Sequence, residues 1–125
     1  MLALFIKKTK TLTSLNISFN NIRDEGCKIL SPVLQHNKSI QMLNMECNDI
    51  YDNGLKALST GIIKSESLNN LKFVLNCITL EGIKYLIHQL EIANKKIAYI
   101  NFKYNNMNVE SDENKNLFKV NNIHF

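Results

Sequence analysis

One pattern, apolar-x-x-apolar-x-apolar-x-x-Asn-x-apolar, dominates this chain. It first runs through Leu12, Leu15, Ile17, Asn20 and Ile22, with Gly26 four residues further on. It returns at Ile40 (Leu43, Met45, Asn48, Ile50, Gly54) and at Leu68 (Leu71, Phe73, Asn76, Ile78, Gly82). The last copy starts at Ile97 (Ile100, Phe102, Asn105, Met107), with Ser111 in the place of the glycine. The copies start 28, 28 and 29 residues apart. Self-similarity at that period specifies a solenoid, in which each unit buries its apolar face only against its neighbours.

Each unit has two halves with different periods. Around Leu15 and Ile17 the apolar residues alternate, the mark of a half-buried strand. After Asn20 the spacing becomes helical: Cys27, Leu30 and Leu34 form one stripe, repeated as Leu55, Leu58, Ile62 and as Ile83, Leu86, Leu90. Asp24 and Asp52 stand just before their helices, where a carboxylate can accept a free first-turn N–H. Leu80 holds that place in the third unit. Pro32 inside the first helix predicts a kink or an irregular last turn. Strands one unit apart that point the same way must pair in parallel, with the helix as crossover.

Residues 1–11 read as the second half of a preceding unit, since Leu2 and Ile6 hold the register of Leu30 and Leu34. The chain is therefore expected to begin inside a helix without a capping unit, as a piece of a longer array would, and to self-associate through uncapped ends. The resulting division is 1–111 repeats, made of partial 1–11, full 12–39, 40–67 and 68–96, and partial 97–111. Residues 112–125 lose the register and are expected to be an irregular C-terminal tail or cap.

Composition narrows the function more by exclusion. Lys and Arg exceed Asp and Glu by 15 to 11, and Arg23 is the only arginine. A mild excess carried by lysine lacks the guanidinium forks that read bases and phosphates, so no nucleic-acid partner is expected. Cys27, Cys47 and Cys77 occupy three different repeat positions with no C-x-x-C, which reads as free thiols in a reducing compartment and no metal site. No apolar run is long enough to span a bilayer, and the apolar start 1–6 is too short for a signal-peptide core. The expectation is a cytoplasmic protein with no membrane partner. His36, His88 and His124 lack a partner carboxylate or thiol at a recurring spacing, and the helix-opening glycines form no phosphate loop, so neither catalysis nor a cofactor is expected.

The motif from Leu15 to Gly26 resembles leucine-rich repeats of the ribonuclease-inhibitor-like subclass, which have 28–29-residue units with a full helix and an Asn or Cys at the ninth motif position. The resemblance covers residues 2 to about 107. It implies an α/β leucine-rich-repeat solenoid, a segment of a right-handed α/β horseshoe with a parallel sheet on the concave side and helices outside. It also implies a non-enzymatic protein–protein interaction scaffold that presents its concave face. A second implied reading is a GTPase-regulating protein similar to the activators of the Ran GTPase, for which Arg23 is the only arginine finger on offer.

Within that frame Asn20, Asn48, Asn76 and Asn105 read as a structural ladder, because an amide can both donate and accept where the strand's backbone loses its partners. Alternation turns a second set of residues outward on the concave face. The candidate binding residues there are Phe19, Glu46, Lys72, Leu75, Tyr99, Lys103 and Tyr104. Phe19, Cys47, Leu75 and Tyr104 form one row, apolar side chains at the strand ends. Charge is sorted as well, with acids such as Asp24, Glu25, Asp49 and Asp52 where strands end, and Lys7, Lys8, Lys10, Lys38, Lys64, Lys95 and Lys96 where they begin. Acids at helix starts and bases at helix ends are what the helix dipole favours, and a basic ridge for an acidic partner is the other reading.

Overall fold

The computed structural model describes residues 1–107, 112–120 and 122–125. Helix and strand alternate throughout: α1 Leu2–Lys8, β1 Ser14–Asn16, α2 Arg23–His36, β2 Met42–Asn44, α3 Asp52–Lys64, β3 Asn70–Lys72, α4 Leu80–Ile92, β4 Tyr99–Asn101, α5 Asp112–Val120 and β5 Ile123–His124. The strands form one parallel sheet in chain order, β1 to β5. Leu15, Leu43, Leu71, Ile100 and Ile123 stand in register as one buried column. A second buried column, Ile17, Met45, Phe73 and Phe102, follows two residues on, with Phe73 and Phe102 stacked at 5.4 Å. The helical stripes close the core from the other side, and Ile6 of α1 joins them.

Residues 112–125, expected as an irregular tail or cap, are regular where they are described. They supply a fifth helix and strand, a shortened unit whose Phe118 and Ile123 are buried. Ile123 pairs with Ile100 only 23 residues earlier, against 28 or 29 for the other steps, so this unit keeps the sheet register but not the sequence spacing of the rest. Ser111, which stands at the glycine position of the last copy, lies outside the described residues, as do residues 108–110 of that partial unit.

α2 runs through Pro32 to His36. One further expectation changes. Asp24 and Asp52 do not cap their own helices; each reaches across to the next unit. Asp24 Oδ1 accepts from Tyr51 N (2.8 Å), and Asp52 accepts from both the N–H and the hydroxyl of Thr79 (2.8 and 2.6 Å). Tyr51 and Thr79 are the N-caps of α3 and α4, so each carboxylate holds the following helix by its entrance. This contact requires glycine three residues on: a Cβ on Gly54 or Gly82 would run into Oδ1 of Asp24 or Asp52. The Leu80 position needs no acid, because Thr79 Oγ1 accepts from Glu81 N within α4 itself.

Candidate protein-binding face

Where β2, β3 and β4 end, an asparagine side chain ties one unit to the one before it. Asn48 Oδ1 accepts from Asn20 N and Ile22 N (3.0 and 3.1 Å), while its Nδ2 donates to Ile17 O and Glu46 O (2.9 and 3.1 Å). Asn76 makes the same bonds one unit later, accepting from Asn48 N and Ile50 N and donating to Met45 O and Val74 O, and adds one to Phe73 O. Asn105 accepts from Ile78 N and donates to Phe73 O and Phe102 O. Asn20 bonds within its own turn, to Ile17 O and Ser18 O. A second set of asparagines was not legible as such. Asn16, Asn44 and Asn101 each accept from the backbone N–H two residues on (3.0, 3.0 and 2.9 Å), shaping the bend that follows the strand. Lys72 stands in that register in the third unit.

The bend brings the apolar row out. Phe19, Cys47, Leu75 and Tyr104 all sit in the left-handed region, at φ of 58°, 51°, 55° and 60°. That conformation costs a non-glycine residue roughly 1–2 kcal/mol, so surrounding bonds must hold it. They do: the N–H groups of Phe19, Cys47 and Leu75 donate to Glu46 O, Val74 O and Lys103 O of the next unit at 2.9–3.0 Å. The side chains are then pushed away from the core, leaving Phe19 68%, Leu75 47% and Tyr104 75% exposed, with Cys47 half-buried between them.

The other candidates gather less evenly. Lys103 is exposed next to Tyr104, while Glu46 and Lys72 are half-buried on the sheet surface. Tyr99 is half-buried, its ring 4.7 Å from that of His124 and its hydroxyl accepting from Asn101 Nδ2 at 3.0 Å. His124 joins the face only because the tail forms β5, a placement no repeat register announces. Between Met42 and Tyr99 on the same face lies Asn70, whose buried Oδ1 has no hydrogen-bond partner among the described residues.

Chemistry elsewhere is sparse. Burial, reinforced by the charge of Asp24, pushes the Cys27 thiol up to about 12, which leaves it protonated and unreactive. Hydrogen bonding with Cys77 is the main cause that raises the Tyr51 phenol above its ordinary value. Arg23 lies in an open hollow of about 460 Å³ shared with Asp24, Glu25 and Asp49, and its Nε donates to Asn21 Oδ1 at 2.9 Å. Three carboxylates around one guanidinium repel a phosphate, which is a poor setting for an arginine finger.

Comparison with known proteins agrees with this architecture. The family model described as Leucine Rich repeat matches residues 9–31 and 36–59. No curated protein sequence matches the chain significantly. Among solved structures, leiomodin-1 actin-binding site 2 (ABS2) superposes with a TM-score of 0.81 at 17% identity, covering 98% of this chain and 77% of that one. Parallel strands in a 28-residue register, outer helices and the matched repeats together make this fold an α/β leucine-rich-repeat solenoid.

Proposed function

We propose that this chain is a non-enzymatic interaction scaffold that takes a protein partner on its concave face, with contact weighted toward the C-terminal half. The observation that carries this reading is the row at the strand ends. Phe19, Leu75 and Tyr104 are large and exposed with their backbone in the left-handed region, and bonds to the next unit fix it at Phe19 and Leu75. A side chain held out this way loses little entropy on binding, which is how aromatic anchors become hot spots. Tyr99, Lys103 and Tyr104 add two tyrosines and a cation at one end, whereas Ser14, Asn16 and Ser18 at the other are small and neutral.

The test is affinity capture with the wild-type chain, a Tyr99→Ala/Tyr104→Ala variant and a Lys95→Glu/Lys96→Glu variant. A central anchor costs about 2 kcal/mol or more on truncation, so the tyrosine variant should lose specific partners that the lysine variant keeps. Loss with the lysine pair alone, together with loss from the wild type in moderate salt, would move the contact off the concave face. Leiomodin-1 ABS2 is an actin-binding site, so co-sedimentation with actin filaments is a direct first trial.

A further inference from the structure

The helix dipole explains most of the charge sorting, but it fails at one place. Asn37, in the connector between α2 and β2, is buried, and its Nδ2 donates to Ile6 O and Thr9 O (2.8 and 3.2 Å) at the end of α1. Its Oδ1 accepts from Ser39 N and Ile40 N (2.9 and 2.8 Å). This one side chain clamps two successive connectors side by side. The clamp opens a cleft of about 320 Å³ lined by Lys7, Lys10 and Lys38, with His36 and the Thr9 and Ser39 side chains between them. None of the described residues that line it is acidic.

A dipole needs cations only where helix-end carbonyls lack partners. Here Phe5 O already accepts from Thr9 N, and Ile6 O from Asn37 Nδ2. Lys10 and Lys38 lie beyond the ends of α1 and α2 altogether. The contrast with the next connectors is direct. Lys95 Nζ donates to Ser65 O, the residue that ends α3, at 2.7 Å, so that lysine is used by the fold. Among the described residues the acid paired with a cleft lysine is Glu66, 3.3 Å from Lys38, with both side chains largely exposed, and such pairs hold weakly.

We infer that this cleft binds an acidic segment of a protein partner, a run of Asp or Glu side chains in extended chain. Three cations in an open cleft, of which Lys38 alone is paired among the described residues and only weakly, suit several dispersed carboxylates. A single phosphate would call for a convergent fork of donors, and lysine is a point charge without one. The edge continues through Lys8 and Lys64, which lengthens the track for such a segment. This site lies on a different edge from the apolar row and stands without it.

The test is fluorescence anisotropy of a labelled hexaglutamate peptide with the intact chain at low ionic strength. Lys7→Glu/Lys10→Glu/Lys38→Glu should weaken binding by roughly tenfold or more. The matched variant Lys28→Glu/Lys56→Glu/Lys84→Glu alters the same net charge on exposed helix positions and should change it by no more than about twofold. If the first variant fails to fold, Lys7→Gln/Lys10→Gln/Lys38→Gln gives the same comparison against glutamines at the control positions. Equal losses in both sets would show bulk attraction only and overturn the site. Displacement of the peptide by inorganic phosphate at lower concentration than by free hexaglutamate, or tighter cleft-dependent binding to phosphatidylserine vesicles, would overturn the acidic segment as its ligand.

Discussion

Asn44 and Asn48 are four residues apart and chemically identical, yet their environments separate them. Asn44 is half-buried and its Oδ1 makes one local bond, to Glu46 N. Asn48 is buried, and removing its amide strands the N–H groups of Asn20 and Ile22 in the preceding unit and takes one of two donors from Ile17 O and Glu46 O. Each buried group left unpaired costs about 1–3 kcal/mol, whereas a half-exposed turn bond is replaced by water. Asn48→Ala should therefore lower the urea midpoint much more than Asn44→Ala. Equal midpoints would mean the inter-unit bonds contribute nothing net.

At the scale of the element, legibility followed the register. Four strands and three full helices were readable because apolar residues recurred every 28 or 29 positions. The fifth unit was not, because it is compressed to a 23-residue step and its anchors Phe118 and Ile123 match nothing upstream. The concave candidates followed from strand alternation, but the left-handed backbone that pushes Phe19 and Tyr104 outward did not, since aromatic residues seldom adopt it. The glycines were legible as a column and obscure in purpose. Gly82 has its role through a neighbour: Asp52 reaches into the space its missing Cβ leaves and holds Thr79. Gly82→Ala should destabilise by about 1–3 kcal/mol through overpacking, although alanine is the better helix former by ~1 kcal/mol. In an Asp52→Ala background the same change should cost little or even stabilise, because the collision is gone. A Gly82→Ala cost that is the same with and without the Asp52 carboxylate, measured by urea denaturation, would show that the glycine serves something else.

For the molecule as a whole, a solenoid is close to one-dimensional, and its end units each have only one neighbour to bury against. Among the described residues β1 pairs on one side only, with β2, which makes its other side an open edge. The helix beside that edge, α1, buries Ile6 but leaves Leu4 56% and Phe5 55% exposed. An open strand edge next to apolar side chains is a surface that another protein chain can cover, and at sufficient concentration that chain is a second copy. Sedimentation velocity over a concentration series should show reversible self-association of the wild type. Leu4→Lys/Phe5→Lys should suppress it without lowering the urea midpoint of the dilute protein, because both side chains already face solvent. The apolar row at the strand ends is the competing surface, so Leu75→Lys/Tyr104→Lys serves as the counterpart. If that pair abolishes association and the α1 pair leaves it intact, copies meet through the concave face, and the β1 end is adequately protected as it stands.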